Sequence, residues 1–165
     1  ANYFVHSKNF YNIINELSQG NHPDVVISKF QSESNKSEFE KISLLCEKFF
    51  NGGTLEEIII NLTDENSEFS NKLLSIIHTK SPTALKVALK SLLLGAKISF
   101  EECMKMEFRM VNKVMNDHDF YEGVRALIID KDNQPKWNPN EIEDVKNDFV
   151  QEFFDLLGDN ELNFD

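Results

Sequence analysis

Apolar residues recur at intervals of three and four through most of the chain, which is the spacing of one face of an α-helix. The longest predicted helix begins after Ser99, whose side chain can cap it together with Glu102. Large apolar residues then align along it. They are Phe100, Met104, Phe108, Val111 and Met115. The pattern predicts an amphipathic helix with one apolar stripe.

Residues that favour helix starts and ends separate the other apolar stripes. Capping boxes or cap–proline pairs mark three further starts. They are Ser37 with Glu40, Thr54 with Glu57, and Ser81 with Pro82. Glycines that follow the stripes are predicted to stop helices. They are Gly20, Gly95 and Gly158. A last amphipathic helix is predicted from the spacing of Ile142, Val145, Phe149, Phe153 and Leu156.

No alternation of apolar and polar residues bounded by hairpin turns predicts a β-strand. The expected fold class is therefore all-α, with eight or nine short helices packed by their apolar stripes. A chain of 165 residues can form one helical domain or two small lobes. If there are two lobes, we expect them at residues 1–80 and 81–165.

The segment from Asn116 to Pro139 combines a short helix with a polar turn. Asp119 is predicted to be the N-cap of the helix, and Glu122 would complete a capping box. The two prolines of the turn hold it extended around Trp137. We expect this indole to pack as a plug on neighbouring helices.

The chain carries a formal net charge of −11, and its acidic residues concentrate at the end. Residues 140–165 contain nine acidic side chains and one basic side chain, Lys146. Because a negative surface repels phosphate, nucleic acid and anionic membranes are not expected as partners. No apolar run reaches the roughly 18 residues of a membrane span, and no signal peptide is visible. Since the first residue is Ala1, we expect a fragment or a processed product.

Side chains that could carry chemistry are few and scattered. Cys46 and Cys103 lie among apolar residues, so buried reduced thiols are expected, with a disulfide or reactive thiol as the alternative. The four histidines are not paired at metal-binding spacing, and no metal site is predicted. His118 adjoins Asp119, which could orient its ring, although a position at a helix start explains it equally well.

The remaining charged residues of interest are interpreted as structural. Glu107, Arg109, Glu122 and Arg125 are spaced for ion pairs on helix surfaces. Residues 130–132 are expected to form a solvated turn rather than a cation site, because a metal loop needs more oxygen ligands. Interpreted by its residues alone, the chain is a helical domain without a catalytic constellation.

Five motifs follow one another in order between residues 81 and 137. They are Ser81-Pro-Thr-Ala-Leu-Lys86, Met106-Glu-Phe-Arg109, His118-Asp-Phe-Tyr-Glu-Gly-Val-Arg-Ala126, Ile129-Asp-Lys-Asp132 and Pro135-Lys-Trp137. The set resembles the C-terminal signature of the 3-hydroxyisobutyryl-CoA hydrolases, which belong to the enoyl-CoA hydratase/isomerase (crotonase) superfamily. A weaker likeness extends over essentially the whole chain. The resemblance implies that these helices are the C-terminal helical region of such a protein.

The resemblance implies a CoA thioester hydrolase of valine breakdown that requires no cofactor and is usually mitochondrial in eukaryotes. In that family an N-terminal α/β core supplies the backbone N–H groups and acidic side chains that act on the thioester. None of those elements matches this chain, so no catalytic residue is assigned. The family also implies Lys131, with Lys136 second, as contacts for CoA phosphates. Solvent-facing lysines in a polar loop are the alternative.

The implied partners are the N-terminal core of the same protein and further copies in a homo-oligomer. Without that core, apolar surface is expected to be exposed. Two other functions stay open. One is a non-catalytic interaction or structural module of a mitochondrial assembly, and the other is an enoyl-CoA hydratase or isomerase.

Overall fold

Helices form both of the compact units into which the chain divides. The computed structural model describes residues 3–32 and 38–164, and within these ranges nine α-helices are found. They are α1 (Phe10–Ser18), α2 (Pro23–Phe30), α3 (Glu38–Phe49), α4 (Leu55–Glu65), α5 (Glu68–Ile77), α6 (Pro82–Gly95), α7 (Phe100–Val114), α8 (His118–Val124) and α9 (Asn147–Gln151). Short 3₁₀ turns lie at Ser7–Asn9, Ile142–Asp144 and Gly158–Asn160, and a π-helical turn lies at Arg125–Ile129.

The all-α prediction is confirmed. In the described residues the β-type pairing amounts to one isolated antiparallel bridge between Val5 and Gln31. None of the helices described is long and apolar enough to cross a membrane.

The first unit comprises residues 1–48. In it α1 and α2 contact each other, and the Lys29 ammonium binds a carboxylate oxygen of Glu16 at 2.6 Å. Val26 of α2 is fully buried. Gly20 follows α1 with a φ of 86°, a conformation that side chains rarely adopt, so the predicted stop is confirmed. The predicted cap at Ser37 lies outside the described residues.

The second unit comprises residues 49–165 and contains a hydrophobic core cluster. The core joins α6, α7 and the acidic last segment. Its buried members are Val87, Met106, Val145, Val150, Phe153 and Phe154, with Met110, Val114 and Phe149 packed against them. The acidic last segment thus also carries buried aromatic and aliphatic residues.

Local capping marks where α4, α6 and α7 begin. The Thr54 hydroxyl accepts from the Glu57 N–H at 3.2 Å, and the Glu57 carboxylate accepts from the Thr54 N–H at 3.3 Å. The Ser81 hydroxyl accepts from the Ala84 N–H at 3.0 Å, and Ser99 caps α7 in the same way. These predicted starts are therefore confirmed.

The predicted last amphipathic helix is wrong, because the segment is broken into a 3₁₀ turn and the five-residue α9. Val145 between them is extended, with φ −78° and ψ 103°. Its carbonyl accepts a hydrogen bond from the Lys86 ammonium at 2.9 Å instead of closing a helical turn. Leu156, placed on the predicted stripe, lies beyond α9 and is 75% exposed.

The prediction of buried thiols is wrong for Cys46. Both cysteines are free; Cys46 is exposed on α3, and Cys103 is half-buried on α7. On α3 the apolar residues Ile42 and Leu44 are exposed as well. Apolar sequence neighbours therefore did not imply burial in this small unit.

α7 carries apolar residues on more than one face. Met106 is in the core, and Met110 and Val114 pack against it. The apolar stripe from which this helix was predicted consists of residues that are each 36–74% exposed. Its members are Phe100, Met104, Phe108, Val111 and Met115. The helix was predicted correctly, but this stripe does not face the core, and the expected exposed apolar surface is present.

Replacing Phe153 by alanine should destabilise the second unit by about 3–5 kcal/mol, because the ring is 2% exposed and its removal leaves a cavity. Phe100→Ala removes the same ring at a position that is 74% exposed and should change stability by no more than about 0.5 kcal/mol. Chemical denaturation of both variants and the wild type measures the loss of unfolding free energy in each variant. Equal losses would contradict the core described above.

Candidate functional site

The candidate site is α8 together with the loop from residue 130 to residue 139. It contains the motifs that were most specific in the sequence. Asp117, rather than Asp119, is the N-cap of α8, and its carboxylate accepts from the His118 N–H at 2.7 Å. The prediction of Asp119 as the cap is therefore wrong, since this side chain is buried and engaged elsewhere.

The Asp119 carboxylate joins three parts of the second unit. It accepts from the Ser81 hydroxyl at 2.5 Å and from the Asn138 N–H at 2.9 Å. The His118 Nδ1 atom lies 3.0 Å from the same carboxylate, so the predicted orientation of this ring is confirmed. Because a buried carboxylate needs several donors, Asp119 connects the start of α6, α8 and the end of the loop.

This cluster does not have the geometry of a nucleophilic triad. In such a triad the histidine lies between the hydroxyl and the carboxylate and removes the hydroxyl proton. Here the Ser81 hydroxyl and the His118 ring both bind Asp119, and the same hydroxyl also caps α6. The arrangement is suited to holding the loop and not to activating a nucleophile.

Glu122 pairs with Arg125 and does not complete a capping box. Its two carboxylate oxygens accept from Nε and Nη2 of Arg125, each at 2.8 Å, in the two-pronged geometry that guanidinium and carboxylate groups favour. The Lys136 N–H donates to the same carboxylate at 2.7 Å. These hydrogen bonds, chiefly those from Arg125, lower the pKa of Glu122 to about 2.

Arg125 also holds the loop directly. Its Nη1 atom donates to one carboxylate oxygen each of Asp130 and Asp132 at 2.7 Å, and Nη2 donates to the Gln134 carbonyl at 3.2 Å. Hydrogen bonds to these acids, chiefly to Glu122, raise the pKa of Arg125, and its guanidinium lowers the pKa of Asp132. The predicted pair on the helix surface is therefore one part of a larger cluster.

Trp137 closes the loop over α8. Its indole N–H donates to the Thr79 carbonyl at 3.2 Å. The indole packs directly on Gly123: a Cβ atom placed on this glycine would lie 3.4 Å from the ring, an ordinary van der Waals distance. The indole packs on a neighbouring helix, as the sequence predicted.

The predicted CoA contacts, Lys131 and Lys136, lie in the loop that this cluster holds. Both residues are exposed, and Lys131 has a φ of 56°. Neither ammonium group has a hydrogen bond or an ion pair within residues 3–32 and 38–164. Their role as CoA contacts stays a prediction.

Other predicted functional features are placed apart from this site. Arg109 pairs with Glu161 at 2.7 Å rather than with Glu107 of its own helix. Within the described residues, no three His, Cys, Asp or Glu side chains are placed to hold a metal ion. A shallow groove of about 160 Å³ lies between α4 and α6, where the Lys86 ammonium already binds Glu56 at 2.6 Å.

The sequence did not predict that Asp119 binds Ser81 and Asn138, or that Arg125 binds the aspartates of the loop. Ser81 and Asp119 are 38 positions apart, and local spacing gives no signal for such a contact. A signal for Arg125 was present, since Asp130 and Asp132 follow five and seven positions later, just beyond the helix. The spacing rules for ion pairs apply within one helix and do not extend to contacts between a helix and the loop that follows it.

The stability of the second unit should fall as pH is lowered from about 4.5 to about 2, in part through Glu122. Its pKa is depressed in the folded protein, so its stabilisation is present above the unfolded pKa and is lost on protonation. Glu122→Gln should be less stable than the wild type near pH 7, and the difference should vanish toward pH 2. Thermal unfolding at pH 2–7 measures it.

Glu107→Gln is the matched control for this experiment. Glu107 is exposed on α7 and has no hydrogen bond or ion pair in the part of the chain described. A difference between wild type and Glu122→Gln that does not change between pH 5 and pH 2 would contradict the assignment.

The chain matches the family model for Enoyl-CoA hydratase/isomerase over residues 1–154. It is also similar to curated proteins called 3-hydroxyisobutyryl-CoA hydrolase, mitochondrial. The Xenopus laevis protein is 38% identical over 98% of this chain and 45% of its own length. The Homo sapiens protein is 41% identical over 70% of this chain and 30% of its own length. The chain therefore spans less than half the length of these relatives.

Two solved structures have the same fold over nearly all of this chain. A carnitinyl-CoA dehydratase from Mycobacterium thermoresistibile matches with a TM-score of 0.75 and 25% identity, covering 99% of this chain and 47% of that one. An enoyl-CoA hydratase from Rhodobacter sphaeroides matches with the same TM-score, 28% identity and the same coverage. Sequence and structure agree with the resemblance seen in the motifs, and the chain belongs to the enoyl-CoA hydratase/isomerase family.

Proposed function

We propose that the chain is the C-terminal helical part of a 3-hydroxyisobutyryl-CoA hydrolase, which releases 3-hydroxyisobutyrate and CoA in valine breakdown. The observation that carries the proposal is the likeness to curated hydrolases of that name at 38–43% identity. The loop around Lys131 and Lys136 supports it, because its ammonium groups suit the phosphates of a CoA thioester. The mitochondrial location of these relatives is part of the proposal.

The chemistry of the thioester is proposed to take place on an N-terminal core that this chain does not include. Charge that develops on a thioester oxygen needs preorganised N–H donors, and the attacking group needs a nearby base. The side chains of the candidate site are already committed to one another: Asp119 to Ser81, and Glu122 to Arg125. They are suited to a structural role beside the bound substrate.

The exposed apolar faces support a partner for these helices. Leu92 is 73% exposed, Phe100 74%, Ile128 64% and Ile129 69%, and they lie on α6, α7 and the turn after α8. An uncovered apolar surface of this kind marks a place where another part of a protein packs. The proposed partners are the N-terminal core and further copies of the protein in a homo-oligomer.

The product of the complete gene should hydrolyse 3-hydroxyisobutyryl-CoA, and the isolated 165-residue chain should not. The reason is that the donors and the base are proposed to lie on the missing core. Release of the free thiol, followed with a thiol-reactive dye, measures the activity of both proteins. Turnover by the isolated chain would contradict the division of roles.

A second candidate is a hydratase of the same family, since the two solved structures carry the names of a hydratase and a dehydratase. The same protein tested with an enoyl-CoA substrate separates the two functions. Hydration adds water to the double bond and leaves the thioester intact, whereas hydrolysis releases CoA. Loss of the double bond without thiol release would favour the hydratase.

The isolated chain should bind Nile red strongly, because the apolar faces of α6 and α7 are uncovered in it. A neutral dye is chosen because the net charge of −11 would repel an anionic dye. Exchanging Phe100 and Val111 for serine should reduce the fluorescence, whereas exchanging the exposed Glu107 of the same helix for serine should leave it unchanged. Dye binding no stronger in the chain than in the complete protein would contradict the proposed docking face.

A further inference from the structure

Lys131 lies between two carboxylates that could neutralise it. Asp130 and Asp132 are its sequence neighbours, and an ammonium group paired with either of them would attract an anion less strongly. In the structure both carboxylates instead bind Nη1 of Arg125 at 2.7 Å. The Lys131 ammonium is left without a hydrogen bond or ion pair in the described part of the chain.

The backbone around Lys131 is held in an unusual conformation. Lys131 and Asn133 have φ values of 56° and 54°, a region that residues with side chains rarely adopt. Such conformations persist where surrounding contacts enforce them. The Asp132 carboxylate also accepts from the Gln134 N–H at 2.8 Å, and Arg125 binds the Gln134 carbonyl. The Arg125 guanidinium thus binds the loop at three residues, Asp130, Asp132 and Gln134.

Lys136 is held at its backbone by the same pair of residues. Its N–H donates to the Glu122 carboxylate at 2.7 Å, and that carboxylate holds the Arg125 guanidinium. The paired side chains of Glu122 and Arg125 therefore attach both ends of residues 130–136 to α8: Arg125 binds the first end and Glu122 the second. A lysine in place of Arg125 could not serve all of these acceptors, because its single ammonium lacks the planar set of five N–H donors.

We propose that Arg125 is a positioning residue that keeps the ammonium groups of Lys131 and Lys136 free for the phosphates of a CoA thioester. The proposal rests on the proposed function and adds a residue that does not itself touch the substrate. Arg125 occupies the carboxylates that would compete for Lys131 and holds the loop in one conformation. Without it, Asp130 and Asp132 would be free to pair with the Lys131 ammonium.

The test compares two substrates of the complete gene product. One is 3-hydroxyisobutyryl-CoA, and the other is the same acyl group on pantetheine, which has no phosphate. Arg125→Gln should raise KM for the CoA thioester on the order of tenfold, the effect of weakening one charge-assisted contact. The kcat for both substrates and the KM for the pantetheine thioester should change little, because Arg125 acts only through the phosphate-binding lysines.

Arg109→Gln is the matched control. It removes the same charge from a similar ion pair on α7, with Glu161 at 2.7 Å, and leaves the loop intact. The KM for both substrates should stay unchanged in this variant. In a protein that already carries Lys131→Gln and Lys136→Gln, adding Arg125→Gln should raise KM no further, since residues acting as one unit are not additive.

The outcomes separate the positioning role from the proposed function. If the wild-type protein hydrolyses neither thioester, the proposed function fails. If it hydrolyses both and Arg125→Gln changes KM equally for the two substrates, or for neither, the positioning role is overturned. Arg125→Lys is the milder variant and should show a smaller selective rise. Failure of both variants to fold would assign Arg125 to fold stability and would also overturn the role.

Discussion

Two carboxylates three positions apart on α8 hold together the segment that carries the family's most specific motifs, α8 and the loop of residues 130–139. Asp119 is buried and must find donors, and it finds them in Ser81, Asn138 and the His118 ring. Glu122 holds the Arg125 guanidinium, which in turn holds the following loop. Because a buried or paired carboxylate is costly without donors, these contacts specify where α6, α8 and the loop meet.

Hydrophobic packing stabilises the rest of the second unit, but it buries only part of the apolar surface of the helices. α7 contributes Met106 to the core while Phe100, on another face, is 74% exposed. The chain corresponds to less than half the length of its relatives and of the matching solved structures. The uncovered apolar faces fit the proposal that these helices pack against a partner surface.

The positioning role of Arg125 rests on the proposed function and on the cluster that Glu122, Arg125 and the loop form. A CoA thioester carries its phosphates far from the bond that is broken, so a helical region can bind one end of the substrate while another region performs the chemistry. A fixed loop with free ammonium groups suits that task because little ordering is needed when the substrate binds. Glu122, Arg125 and the aspartates beside Lys131 are therefore interpreted as one structural device.

The sequence by itself determined the helices and most of their starts, because caps such as Thr54 with Glu57 depend on residues three positions apart. Its motifs also identified the family. The tertiary structure decided which apolar stripe of each helix is buried and where the last segment breaks, since the carbonyl of Val145 is bound by Lys86 from a distant helix. It also decided the role of Asp119, because its donors come from positions far apart in the chain, where local periodicity carries no information.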